Sequence, residues 1–151
     1  MPYRVSIIVM SIALACVAFA AGTAQAATHS VRRPLRSLAY EFALHQRGKW
    51  YCWGGAGPSC YDCSGLVSAA YRHAHIWLGR TTYDMLASGR LIRVRHPRRG
   101  DLAFYGTGHV ELYDRGHYTF GAHDTGSRIG FLRFNSYWHP TAYYRVRTGR
   151  G

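Results

Sequence analysis

The chain has 151 residues, which is enough for one folded domain and leaves little room for a second. It carries 19 Lys and Arg residues against 7 Asp and Glu residues, a net charge of +12 that favours polyanionic surroundings. The basic residues are scattered, and no zinc-finger, helix-turn-helix or RNA-binding pattern accompanies them. We therefore interpret the charge as a basic, solvated surface and expect no nucleic-acid partner.

Residues 1–26 have the pattern of a secretory signal peptide. Arg4 precedes the apolar run "VSIIVMSIALACVAFAAG", and "AQA" at 24–26 fits a cleavage site before Ala27. The alternatives are a retained membrane anchor and a lipoprotein with lipid on Cys16, although "ALAC" lacks the usual Leu three residues before the Cys. Cleavage removes one base and no acid, which leaves a net charge of +11. We expect a secreted protein, and the polyanions that it can meet outside the cell are anionic cell-wall polymers, anionic lipid surfaces and extracellular nucleic acid.

Two helices are predicted after a short lead-in over residues 27–34. Pro34 suits a first helical turn, and Gly48 ends the helix. A loop rich in Gly and Pro follows, and Asp62 is a good N-cap for the second helix. Gly65 in the first turn of that helix allows another chain segment to approach closely. The predicted apolar faces are Leu35, Leu38, Ala39, Phe42 and Ala43 on the first helix, and Leu66, Val67, Ala70 and Tyr71 on the second.

The second half of the chain changes to the pattern of strands. The segment "RTTYDMLASGRLIRV" predicts a short helix followed by an extended piece. Four segments rich in aromatic and β-branched residues follow, with turns between them. They are "GDLAFY", "HVELY", "YTFGAH" and "TAYYRVR". Helices followed by an antiparallel sheet indicate an α+β domain.

Three cysteines remain after cleavage, so at most one disulfide can form within the chain. We favour a bridge between Cys52 and Cys60 across a short loop, which leaves Cys63 reduced at the start of the second helix. There the unsatisfied N–H groups and the helix dipole favour the thiolate, which is the nucleophilic form. The alternatives are a redox pair or half of a zinc site at Cys60 and Cys63, and a Cys63 that is merely buried or pairs between chains.

A nucleophilic cysteine needs a base, and His109 at the start of an alternating strand is the best candidate. His109 and Glu111 share one face of that strand. If the next hairpin closes with a three-residue loop over residues 115–117, His109 lies opposite His123, with Cβ atoms about 4.5 to 5.5 Å apart. A two-residue loop would place His109 opposite Ala122 and send His123 to the other face.

The motifs resemble, in order and spacing, those of the NlpC family of papain-like cell-wall peptidases. They are "WYCWGGAGPSCYDCSGLVSAAY", "RRGDLAFY", "GHVELY" and "FGAHDTGSRIGF". The resemblance runs from about Leu35 to Arg147, and the combination of "DCSGL", "GDL" and "GHV" is specific. It implies a minimal papain-like α+β fold over residues 35–148, with the nucleophile at a helix N-terminus packed on an antiparallel sheet.

The resemblance implies a Cys-His-His triad that cleaves peptidoglycan. Cys63 matches the nucleophile, His109 the general base and His123 the residue that orients the base. The usual substrate is a stem peptide, cut most often between D-γ-glutamate and meso-diaminopimelate or lysine. Because the thiolate attacks the amide and the imidazolium protonates the leaving amine, we expect no metal or organic cofactor.

Four other residues are candidates for contacts to the substrate or the oxyanion. The resemblance places Tyr51 beside the reacting carbonyl, and it implies that Asp62 and Ser64 hold the amino end of the substrate, as in some members. Glu111 departs from the family, in which many members have a small residue after "HV". On the face of His109 its carboxylate is expected to contact a basic group of the substrate. The alternative is a solvent-facing or Arg-paired glutamate.

The main functional hypothesis is a secreted, monomeric peptidoglycan endopeptidase. An amidase or acyltransferase with the same triad is one alternative, because this chemistry does not select the acyl group. A non-catalytic wall-binding module is the other, and the intact set of Cys63, His109 and His123 disfavours it. An effector delivered to competing bacteria would use the same chemistry as a housekeeping hydrolase.

Overall fold

A computed structural model describes residues 33–149 of the chain. The predicted signal peptide and most of the lead-in lie outside these residues. Within them no helix is long and apolar enough to cross a membrane. The described elements are, in chain order, α1 (Leu35–Leu44), β1 (Trp50–Tyr51), β2 (Cys60–Tyr61), α2 (Cys63–His73), α3 (Thr82–Ala87), β3 (Leu91–Val94), β4 (Leu102–Tyr105), β5 (His109–Arg115), β6 (Tyr118–Gly121), β7 (Gly130–Arg133) and β8 (Ala142–Val146).

The six later strands form one antiparallel sheet in the order β3-β8-β4-β5-β6-β7. The helices and this sheet agree with the predicted α+β class, and β3, β4, β5, β6 and β8 fall on the segments predicted to be extended. Strand β7 was not predicted. The short parallel pairing of β1 with β2 was also missed, because both lie in the Gly- and Pro-rich loop.

Helix α1 packs against α2, and α2 packs against β5 and β6. The predicted apolar stripe of α2 is confirmed, since all four of its side chains are fully buried. On α1 the buried face is shifted from the prediction. Ala39 and Ala43 are buried, and Tyr40 joins them, whereas Leu35 and Phe42 are only partly covered. Tyr40 can be buried there because its hydroxyl donates a hydrogen bond to the carboxylate of Asp114, which is distant in sequence.

Helix α2 begins where the prediction placed it, and its start is held tightly against the preceding loop. The Asp62 carboxylate accepts a hydrogen bond from the Gly65 N–H at 2.6 Å, as an N-cap does. A Cβ atom at position 65 would lie only 2.0 Å from the carbonyl oxygen of Gly55. That carbonyl also accepts a hydrogen bond from the Asp62 N–H. The predicted close approach at Gly65 is thus confirmed, and the approaching segment is the loop itself.

The hairpin between β5 and β6 differs from the prediction at its turn. Its loop has two residues, 116 and 117, and a β-bulge at Asp114 adds the extra residue within the strand. On the far side of the bulge from the turn, Tyr113 pairs with Thr119. This is the register that the predicted three-residue loop would have produced. Asp114 is buried in the bulge, where it accepts the Tyr40 hydroxyl at 2.9 Å and pairs with Arg99 at 2.8 Å. These contacts hold the bulge, and the bulge preserves the register.

Candidate active site

The cysteine pairing follows the prediction. Cys52 and Cys60 are joined by a disulfide, and Cys63 is the free cysteine of the described residues. The bridge closes the loop that connects β1 to β2, and Cys63 is the first residue of α2. Cys60 is therefore engaged away from Cys63, and the sulfur of Cys63 faces the sheet without a covalent partner.

The environment of Cys63 favours its thiolate. Burial is the largest single influence and opposes ionisation, and the charge of Asp62 opposes it too. A hydrogen bond and the charge interaction with the imidazole of His109 outweigh them, together with the backbone N–H of Val110, so the pKa of the thiol is lowered overall. Cys63 thus has the chemical character expected of a nucleophile.

His109 is the first residue of β5, and its environment favours the imidazolium form. Burial acts most strongly and lowers the pKa, but hydrogen bonds and charge interactions with Cys63 and Glu111 raise the pKa of His109 to about 9. The lowered pKa of one partner and the raised pKa of the other describe a thiolate–imidazolium pair. The structure thus brings Cys63 and His109 together through a side-chain hydrogen bond.

Glu111 lies on the face of His109, as the sequence analysis predicted, but it contacts the two histidines and is not open to a substrate. Its side chain is fully buried, so the predicted contact with a basic group of the substrate is wrong, and so is the alternative of a solvent-facing or Arg-paired glutamate. Its Oε1 atom lies 3.0 Å from Nε2 of His109 and 2.5 Å from Nδ1 of His123. The carboxylate lies flat on the sheet because Gly121, which faces it on β6, has no side chain to occupy that space.

His123 lies just after β6, on the same side of the sheet as His109. The same-face prediction therefore holds, but the two imidazoles meet through the carboxylate of Glu111 rather than directly. Within residues 33–149 the second ring nitrogen of His123, Nε2, is buried without a hydrogen-bond partner. His123 thus contacts Glu111, and Glu111 contacts His109, which differs from the direct orienting contact that the resemblance implies.

A groove of about 460 Å³ opens beside Cys63. Tyr51 lies in its wall, as predicted. Burial is the main cause that raises the pKa of the Tyr51 hydroxyl, and the charge of Cys63 adds to it, so the hydroxyl stays protonated as a hydrogen-bond donor. The exposed aromatic rings of Trp53 and Tyr83 form part of the rim. The groove is the space in which a substrate carbonyl can reach the sulfur.

Arg80 is a residue of the groove that sequence analysis missed. Its guanidinium donates to both carboxylate oxygens of Asp62, at 3.0 and 2.6 Å, and to the hydroxyl of Ser64 at 3.1 Å. It also donates to the carbonyl of Gly55 at 3.1 Å. Asp62 and Ser64 line the groove as predicted, but Arg80 and the helix N-terminus already engage their polar atoms. In a chain rich in arginine, no local pattern distinguishes this one.

Trp138 lies beside the imidazole of His109, and it too was missed. Its ring stacks on Tyr105 with centroids 4.8 Å apart and lies 5.8 Å from the ring of His109. Trp138 is on the loop between β7 and β8, so only the tertiary fold brings it to the site.

A family model described as the NlpC/P60 family matches residues 48–147. The bifunctional muramidase/DL-endopeptidase CwlT of Bacillus subtilis is 31% identical over 115 residues, which cover 70% of this chain and 35% of CwlT. The chain thus spans about a third of the length of that curated relative.

The fold is also found in solved structures. The NlpC/p60 domain of the peptidoglycan hydrolase SagA superimposes with a TM-score of 0.65 at 25% identity, over 74% of this chain and 98% of that one. The peptidoglycan hydrolase RipB of Mycobacterium tuberculosis gives a TM-score of 0.64 at 25% identity, over 76% of this chain and 66% of RipB. The helices and antiparallel sheet therefore form the papain-like α+β fold that the sequence predicted.

Proposed function

The chain belongs to the NlpC/P60 family, and we propose that it is a cysteine endopeptidase that hydrolyses peptidoglycan stem peptides. One observation carries the proposal. A reduced cysteine whose pKa is lowered faces a histidine whose pKa is raised, at the edge of a groove open to a substrate. Relatives named as endopeptidases and peptidoglycan hydrolases support the substrate class.

The proposed mechanism begins with transfer of the Cys63 proton to His109. The thiolate attacks the amide carbonyl and forms a tetrahedral intermediate. When that intermediate collapses, the C–N bond breaks, His109 protonates the leaving amine, and a thioester remains on Cys63. Water, deprotonated by His109, hydrolyses the thioester and returns the thiol.

The start of α2 provides donors for the oxyanion. The first N–H groups of a helix have no partner within the helix. The Asp62 side chain takes the N–H of Gly65, so the backbone N–H groups of Cys63 and Ser64 are left to act as donors. The Tyr51 hydroxyl in the groove wall is a third donor.

The bond between D-γ-glutamate and the diamino acid is the proposed site of cleavage. The name DL-endopeptidase, carried by the relative CwlT, supports it. A substrate amino group at Asp62 and Ser64 would meet the ion pair of Asp62 with Arg80, and not an isolated carboxylate. We also propose that the chain is exported through residues 1–26 and acts at the cell wall, where its positive charge suits anionic polymers.

Digestion of purified peptidoglycan tests the proposal. Mass spectrometry should find fragments with a new amino terminus on the diamino acid after incubation with the wild type, and none with Cys63→Ser or His109→Asn. His75→Asn is the matched control, since His75 is an exposed residue with a positive φ of 62°, a conformation that asparagine tolerates. Products of another amide or ester would indicate an amidase or acyltransferase, and undigested wall with the wild type would overturn the proposal.

A further inference from the structure

Glu111 is one of only two glutamates in the chain, and it is buried beside the reactive pair. Both of its carboxylate oxygens are engaged. The imidazoles of His109 and His123 contact Oε1, and the Thr119 hydroxyl donates to Oε2. The Thr119 hydroxyl in turn lies 3.0 Å from the hydroxyl of Tyr105. The carboxylate is therefore fixed from two sides, and one of its oxygens is directed at the base.

The sheet is shaped to accept this side chain. A Cβ atom at position 121 would lie 2.7 Å from Cγ of Glu111, which is closer than real Cβ contacts come. Gly121 is therefore required wherever position 111 holds a side chain that lies across β6. A glutamate that merely filled a gap would not need four polar or titratable neighbours arranged around it, namely His109, His123, Thr119 and Tyr105.

Electrostatics requires that this carboxylate be charged and paired. Burial is the largest influence and raises the pKa, but hydrogen bonds from His109, His123 and Thr119, together with the charge of His123, lower the pKa of Glu111 to about 2. A buried ion is stable only with close partners of opposite charge. The titratable groups that face His109 are Cys63, Glu111 and Tyr105, and Glu111 supplies the charge that stabilises an imidazolium there.

We propose that Glu111 positions and polarises His109, and that His123 serves by holding Glu111. The chain of contacts runs from Cys63 to His109, then to Glu111 and then to His123. Thr119 and Tyr105 hold the carboxylate from its other side. Glu111 touches no substrate, so it is a positioning residue. The inference rests on the proposed function where it is tested by kcat and KM on a substrate. It does not rest on that function where it is tested by the alkylation of Cys63.

The test compares Glu111→Gln, Glu111→Asp and His123→Asn with the wild type. Glu41→Gln is the matched control, because Glu41 is the other glutamate of the chain and is partly exposed on α1. Two quantities are measured for each folded variant: kcat and KM on a stem-peptide substrate, and the rate of alkylation of Cys63 by iodoacetamide as a function of pH. Peptide mass spectrometry assigns the alkylation to Cys63, and circular dichroism establishes that each variant is folded.

Glu111→Gln should lower kcat by about 10- to 100-fold with KM within about threefold, because general acid–base catalysis depends on the orientation and charge of the base. The alkylation profile should keep its rise at high pH, but its alkaline inflection, where the imidazolium loses its proton and leaves a free thiolate, should move to lower pH, since the imidazolium loses its counter-ion. Glu111→Asp keeps the charge and should restore the alkylation profile more than Gln does. His123→Asn, which can still donate to the carboxylate, should lose less activity than Glu111→Gln.

Two results would overturn the inference. One is a loss of activity in Glu111→Gln with an unchanged alkylation profile, which would make the carboxylate merely structural. The other is near-wild-type activity in Glu111→Gln together with inactivity in His123→Asn, which would indicate direct action of His123 on His109. If the wild type digests no peptidoglycan but the alkylation profiles shift as expected, the proposed function fails and the inference stands.

Discussion

Arg80 holds the carboxylate of Asp62 in a bidentate ion pair, with hydrogen bonds of 2.6 and 3.0 Å. Asp62 is the residue that caps the helix carrying the reactive sulfur, so the arginine supports the start of that helix. A planar guanidinium matches a carboxylate in a way that an ammonium group does not.

Arg80→Lys should destabilise the protein by about 1 to 3 kcal/mol, because hydrogen bonds to a largely buried carboxylate are lost. We expect kcat/KM to fall as well, since the N-terminus of α2 loses part of its support. Urea unfolding and steady-state kinetics measure the two effects. Arg95→Lys, at an exposed arginine, is the control and should change neither. Equal behaviour of the two variants would contradict the role of Arg80.

The pH profile of kcat/KM should be bell-shaped. The reactive pair requires Cys63 without its proton and His109 with one, so kcat/KM should rise as the thiol ionises and fall as His109 deprotonates near pH 9. The acid limb should lie below the pKa of about 8.5 of a free cysteine. The profile is measured with a peptide substrate over the pH range in which the protein stays folded. An alkaline limb below pH 7 would contradict the ion pair.

The disulfide should contribute stability without contributing the nucleophile. Replacing both Cys52 and Cys60 by Ser opens a short loop and should cost about 2 to 3 kcal/mol of unfolding free energy. Activity should fall because Tyr51 and Trp53 lie on the loosened segment, while Cys63 should still react with iodoacetamide. A reductant should lower the unfolding free energy of the wild type. It should leave that of the double variant unchanged, so the double variant serves as the internal control. A double variant as stable as the wild type would refute this expectation.

Trp138 should protect the base. Removing its ring in Trp138→Ala admits water beside His109, weakens the ion pair by raising the local dielectric constant, and should lower kcat/KM by roughly three- to tenfold. Trp138→Phe should keep most of the activity. Tyr137 is adjacent and 96% exposed, so Tyr137→Ala is the control and should match the wild type. A loss as large in Tyr137→Ala would assign the effect to the loop and not to the ring over His109.

Local patterns sufficed to predict the elements of the site that are local in sequence. The N-cap Asp62, the apolar stripe of α2 and the free Cys63 all follow from a few neighbouring residues, and the structure has each of them. The pairing of Cys52 with Cys60 follows from the same short segment.

The remaining features depend on contacts between distant segments. The turn of the β5–β6 hairpin was mispredicted because a hydrogen bond from Tyr40, 74 residues away, holds the bulge at Asp114. Arg80 reaches Asp62 across 18 positions of the sequence. The burial of Glu111 could have been foreseen only by pairing it with Gly121, since an acidic residue on an alternating strand is ordinarily solvent-facing.

The contact of Glu111 with Gly121 makes two positions of different strands depend on each other. Any side chain at 121 would displace the carboxylate, and a descendant that lost the glutamate would be free to gain bulk at 121. Homologous chains should therefore vary at these two positions together. A change at one without the other should indicate a catalytic centre whose residues are arranged differently.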